Sequence, residues 1–187
     1  MGPEGVETLA KPDGDELILS GEKLFVSDAA LADLFVVAVR SGSDAQSISL
    51  VVVEKGTSGA AASSFDVMDL TKSVGKLSLE DARVGVDCVL GTQGAAWPAT
   101  QWLLDLGAAL VTAEAVGSAE AALSITTEFA KERVQFGEQI GKFQGVKHPL
   151  AEIYVDVESF RSLVYYAIWA IDQDADDAQV AVSRAKA

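Results

Sequence analysis

The sequence predicts an α+β protein: a small β-barrel or sandwich followed by part of an antiparallel α-helical bundle. Two changes along the chain predict it. Residues 1–93 hold short β-branched runs cut by Gly, Ser and Asp, the pattern of strands and turns. Residues 94–187 are Ala-rich, with apolar residues recurring every three or four positions. An apolar share of 49% is enough to build a core. The division predicts two domains, 1–93 and 94–187, the second an incomplete bundle.

In chain order, residues 16–20 and 23–27 read as two short strands separated by a bend at Gly21-Glu22. Residues 29–33 give a helical turn at most. Residues 34–40 and 48–54 are β-branched strands, with Ser41-Gly42-Ser43-Asp44 between them. Residues 56–64 are small and polar and predict a loop. Residues 65–68, 75–79 and 83–86 predict further short strands. The period then changes, and residues 98–131 predict a long helix with Leu106, Leu110, Ala113, Val116, Gly117 and Leu123 near one face. A second helix carries Val146, Leu150, Ile153, Val157, Phe160, Val164, Ile168 and Ile171 at steps of three or four, with Pro149 in its first turn. Residues 172–177 are an acidic connector, and residues 179–187 begin a third helix. Two long helices and a stub do not close a bundle. The expectation is a fragment of a longer protein, or a bundle completed by another chain.

Between the long helices lies the least helical stretch, residues 132–148. Gly137, Gly141 and Gly145 break the period. Phe136 and Phe143 sit among them, and Arg133, Lys142, Lys147 and His148 gather there. That cluster stands out in a chain with 14 basic and 28 acidic residues and a net charge of −14. Such a balance argues against nucleic acid and against an anionic membrane surface as partners. Cys88 alone forms no internal disulfide, and residues 1–15 lack an apolar leader, so the expectation is a cytoplasmic protein. Glu114 and Glu120 interrupt the most apolar stretch, so no membrane span is expected. His148, the only histidine, makes neither a triad nor a metal site. Trp97, Trp102 and Trp169 read as packing residues.

Three stretches resemble the flavin-dependent acyl-CoA dehydrogenase family. Gly21-Glu22-Lys23-Leu24-Phe25-Val26-Ser27 is similar to the family's Gly-x-Lys-x-Trp-Ile-Thr/Ser strand. Leu104-Asp105-Leu106-Gly107, continued by Ala115-Val116-Gly117, is similar to the start of its first long C-terminal helix. Glu132-Arg133-Val134-Gln135-Phe136-Gly137, with Phe143-Gln144-Gly145-Val146-Lys147-His148, resembles its Arg-x-x-Phe-Gly loop and following Gln, most closely in actinobacterial members. The resemblance covers nearly the whole chain. It implies the middle β-domain and the first part of the C-terminal helical domain.

The resemblance also implies a cofactor, FAD, and a substrate, an acyl-CoA oxidised to the 2,3-enoyl-CoA. Phe25, Val26 and Ser27 would line the flavin ring, with Phe25 in place of the family's Trp and the Ser27 hydroxyl near N5. Arg133, Phe136 and Gln144 would reach the pyrophosphate and adenosine portion of a flavin held by a neighbouring subunit. Asp105 would lie near substrate. A site shared across subunits implies a homo-oligomer, or a hetero-oligomer with a homologous catalytic subunit. Two positions depart from the family. Ala108 stands where its helix carries an arginine, and Gly107 stands where one branch places the catalytic carboxylate. The resemblance therefore implies no catalytic residue in this chain, which suits the non-catalytic subunit of a two-chain enzyme. The alternative is a non-enzymatic interaction or scaffold module that keeps the fold without flavin.

Overall fold

A computed structural model describes residues 2–187. The chain forms two compact units, one ending at Gln101 and the other beginning at Trp102. With a seven-stranded sheet in the first and helices in the second, the class is α+β, as expected.

The sheet consists of β1 (Leu9–Asp13), β2 (Glu16–Ser27), β3 (Leu34–Arg40), β4 (Ile48–Glu54), β5 (Ala60–Ser64), β6 (Val74–Gly85) and β7 (Val89–Leu90), in the order β5-β6-β2-β1-β3-β4-β7. All neighbours are antiparallel except β1 and β3, which meet in parallel at Leu9 and Arg40. Alternation along the strands buries Leu17 and Leu19 of β2, Val37 and Val39 of β3, Val51 and Val53 of β4 and Leu77 and Leu79 of β6, each at 0–2% exposure. Each such side chain contributes about 1.5–3 kcal/mol by leaving water.

Several short strands expected from the sequence are parts of longer ones. The runs at 16–20 and 23–27 are one strand, β2, because Gly21 does not turn the chain. It sits at φ 134 in a bulge, and a Cβ there would stand 3.0 Å from Thr8 Cα. Close backbone approach, which glycine allows, is the reason for a residue that reads as a bend. The runs at 75–79 and 83–86 likewise join into β6. Residues 60–64, expected in a loop, are edge strand β5, since small residues still pair through their backbones with β6. Residues 65–68 form no strand.

The helices are α1 (Trp97–Glu132), α2 (Gln144–Asp172) and α3 (Ala178–Lys186). Between α1 and α2 runs a two-residue-loop hairpin, β8 (Val134–Gln135) and β9 (Glu138–Gln139), then a 3₁₀ turn over Ile140–Lys142. Because α2 starts at Gln144, Pro149 lies in its second turn rather than its first. Small residues dominate the helical core: Ala109, Ala167, Ala170, Ala181 and Val182. Arg161 of α2 ties to α1 through Glu120 at 3.0 Å and to Glu158 at 3.3 Å. Trp102 and Trp169, expected as packing residues, are half exposed, at 51% and 53%. Trp169 lies against Tyr166, their ring centroids 5.6 Å apart. By length and composition alone α1 is apolar enough to cross a bilayer, and its buried residues are only Ala109, Val116 and Ala130 among those described.

Candidate functional site

Two clusters of the expected residues can be built up, one in each unit. In the sheet unit, β2 runs antiparallel to β6 and slips register between Leu24 and Val26. Phe25 is the extra residue of that bulge, and its φ is 55. A bulge breaks the alternation of faces and re-aims one side chain. Here it turns Phe25 outward: the ring is 77% exposed and leans edge-on against Phe65, centroids 5.9 Å apart. A left-handed conformation at an aromatic residue costs on the order of 1–3 kcal/mol. The edge contact with Phe65 leaves most of the ring exposed, so little is gained in packing for that cost. Val26 beside it is half-buried against the sheet core, and Ser27 ends the strand, exposed and paired in register with Val74.

Lys23, two residues before Phe25, was given no role by sequence reasoning. It is half-buried opposite Leu77, and no ion pair forms to it among the described residues. Burial holds its ammonium below the ordinary lysine range. Only the motif spacing singled it out; its burial depends on the β2–β6 register.

In the helical unit, α1 ends at Glu132 and Arg133 follows at once. The Arg133 N–H donates to Phe129 O at 2.9 Å, and its own carbonyl accepts from Ile140 N at 2.8 Å. The backbone of Arg133 is thus held from both sides while the side chain stays exposed. Among the described residues the guanidinium makes no ion pair. The hairpin turns through Phe136 and Gly137, with φ 55 and 79. Two successive positive φ values mark the turn type that fits a tight hairpin, where Asn-Gly is the usual pair. Phe136 adopts that conformation while 94% exposed, touching Phe143 edge-on at 6.2 Å. Lys142 is committed to Glu138 at 2.5 Å. Gln144 opens α2 from an exposed position, at a helix end whose free N–H groups favour an anion. His148 is an exposed helical residue.

The chemistry of these donors fits FAD. A guanidinium fork with no carboxylate of its own suits a diphosphate. Exposed ring faces suit a flat heteroaromatic system, and a strand-end hydroxyl suits a ring nitrogen. Arg133 and Phe136 lie on the segment that joins α1 to α2, Gln144 opens α2 at its far end, and Phe25, Val26 and Ser27 share one strand end. Asp105 lies half-buried in α1, apart from either cluster in sequence. Gly107 lies exposed in the same helix, with nothing within 4 Å of the place a Cβ would occupy. No group of three or more metal-ligating side chains occurs among the described residues.

Comparison with known proteins follows this division. Residues 3–82 match the middle domain of acyl-CoA dehydrogenases, and residues 94–187 match their C-terminal domain. The chain is 32% identical over 172 residues to a short-chain-specific acyl-CoA dehydrogenase of Clostridium acetobutylicum, covering 87% of this chain and 44% of that one. It is 28% identical over 184 residues to an L-prolyl-[peptidyl-carrier protein] dehydrogenase of a Serratia species, covering 96% and 48%. Its fold matches butyryl-CoA dehydrogenase from Megasphaera elsdenii with a TM-score of 0.90 at 32% identity, over 97% of this chain and 49% of that one. The chain therefore spans about half the length of these relatives.

Proposed function

The chain belongs to the acyl-CoA dehydrogenase family, and on that premise we propose that it holds FAD within an enzyme oxidising an acyl-CoA thioester to its 2,3-enoyl-CoA. The observation that carries this reading is the pair of exposed, left-handed phenylalanines, Phe25 and Phe136, each in a motif segment beside an uncommitted polar side chain. Backbone strain at bulky residues clusters at ligand clamps and active sites.

When bound, FAD supplies the acceptor for the substrate's β-hydride. Phe25 and Val26 present a wall for the flavin ring, and the Ser27 hydroxyl donates to it. Arg133 and Gln144 bind the pyrophosphate and adenosine portion of a flavin seated in a neighbouring subunit, with Phe136 beside them. Asp105 orients the acyl-CoA. Proton abstraction needs a carboxylate at the substrate α-carbon. Gly107 and Ala108 cannot supply one, so the base comes from elsewhere in the assembly. Those two residues favour the non-catalytic subunit of a hetero-oligomer; a homo-oligomer whose base lies outside these residues is the other arrangement. That relatives include both short-chain acyl-CoA and carrier-protein-bound prolyl dehydrogenases leaves the acyl group open.

The test is the visible spectrum of the intact protein, alone and co-expressed with any homologous chain. A flavin spectrum bleached by an acyl-CoA is expected. Colourless protein in both preparations would favour a scaffold module that has shed the cofactor. In the flavin-loaded assembly, Arg133→Ala is expected to weaken FAD binding by about 10- to 100-fold, since hydrogen bonds to charged groups carry roughly 1.5–3 kcal/mol. Helix content should hardly change. Unaltered FAD affinity in that variant would reduce Arg133 to a helix-end charge.

A further inference from the structure

Sequence reasoning treats Gly141 only as a break in helical period. Its surroundings give it a sharper role. A Cβ at Gly141 would stand 3.0 Å from the carbonyl oxygen of Ala130 and 3.6 Å from the Ala130 Cβ. Ala130 is 3% exposed and lies in the last turn of α1, so neither atom can swing aside like the end of a flexible side chain. Gly141 also follows Ile140, whose N–H donates to the Arg133 carbonyl at 2.8 Å. The chain from α1 therefore leaves through Arg133, makes the hairpin, and returns to be seated on α1 one residue after it is bonded to Arg133. Among the described residues Arg133 has no side-chain tie of its own, so this closure is what fixes where its guanidinium starts.

We infer that Gly141 is a positioning residue for Arg133: its missing side chain lets the returning chain seat on Ala130, and that seat sets the direction of the Arg133 fork. The inference rests on reading Arg133 as a flavin contact. A Cβ at 141 crowds the Ala130 carbonyl, so the 3₁₀ turn and α1 must part slightly, which strains the adjoining Ile140 bond to the Arg133 carbonyl. The guanidinium then meets a diphosphate from a displaced root, and the geometry of a two-point contact is lost first.

The test is a double-mutant cycle on FAD affinity in the intact, assembled protein, with the thermal midpoint followed alongside. FAD binding is measured by flavin fluorescence for the parent, Gly141→Ala, Arg133→Ala and the double variant. Gly141→Ala is expected to weaken FAD binding by about tenfold in the parent and hardly at all when Arg133 is already alanine, because residues acting through one contact are not additive. An equal further loss in the double variant would overturn the inference, since Gly141 would then act on the fold and not through Arg133. So would undiminished affinity in Gly141→Ala beside a clear loss in Arg133→Ala, which leaves the flavin reading standing. Undiminished affinity in Arg133→Ala itself would remove that reading and this inference with it.

If Gly141→Ala does not fold, Ile140→Pro probes the same link. Proline deletes the N–H that holds the Arg133 carbonyl, yet it suits the first position of a helical turn. The preceding Gln139, at φ −62 and ψ 133, already has the extended conformation that proline requires. The same coupled loss is expected, and unchanged FAD affinity in Ile140→Pro would overturn the inference.

Discussion

The two units bury different things. The sheet unit closes over large side chains, with Leu17, Leu19, Leu77 and Leu79 each at 2% exposure or less. The helical unit closes over alanines and a few valines, and many of its larger side chains stay outside: Ile125 is 72% exposed, Tyr165 68% and Phe129 56%. Alanine lets helices approach closely but removes little apolar area from water, so the sheet unit draws far more from its own interior. The helical unit instead keeps a wide apolar surface, the kind that marks contact with other protein. Both candidate clusters lie where these interiors end, at a strand bulge in one unit and a helix-to-helix loop in the other.

The sharpest way to break this contrast is to truncate one large residue in each unit. Leu17→Ala is expected to cost about 2–5 kcal/mol in denaturant unfolding, as buried leucines do. Ile125→Ala should stay within roughly 0.5 kcal/mol of the parent, as exposed sites do. Comparable losses from both would mean that the α1 surface is covered in solution, and dilution of the sample would then separate the two values.

A smaller effect is expected from overfilling the alanine core. Ala170→Leu adds bulk at a site with 0% exposure facing α3, and should cost about 1–3 kcal/mol. Helical ellipticity on heating reads it. A neutral outcome would show that α2 and α3 pack loosely enough to admit a leucine, which undoes the close-approach account.

The smallest effect concerns pH. The Tyr166 hydroxyl donates to Asp177 Oδ2 at 2.9 Å, beside the first residue of α3, and this bond raises the tyrosine above its ordinary range. A folded value above the unfolded one means that the contribution is complete below the unfolded value of 10.0 and is lost as pH climbs through the folded one. Loosening of α3 confined to strongly alkaline solution is expected, and Tyr166→Phe should abolish that alkaline step. Amide exchange at Ala178–Lys186 against pH checks it, and a step that persists in the phenylalanine variant would assign it to another group.

Much of this was legible from residues. Strands β3 and β4 have the expected bounds, because β-branched runs between turn clusters leave few other readings. The long helices follow from period alone. What was not legible depends on partners far along the chain. Gly21 reads as a bend until Thr8 is placed against it, and residues 60–64 read as a loop until β6 offers them an edge. The site was visible as a motif but not as geometry. Nothing local announces that Phe25 and Phe136 are left-handed, since that conformation is imposed by a bulge and a tight turn. Gly141 was indistinguishable from Gly145, although only the former faces a neighbouring backbone.

The pairing of β2 with β6 carries a consequence for synthesis. While the chain emerges from the ribosome, β1, β3 and β4 can pair soon after they appear. The other edge of β2 must wait for residues 74–85, some sixty positions later, before it has a partner. During that interval β2 offers a long open edge to any other nascent strand. Exposed Glu22 and half-buried Lys23 both break the apolar run there, and such charges discourage two unfinished chains from zipping together. Neutralising both would be felt first as poor yield of soluble protein, before any change in the finished fold.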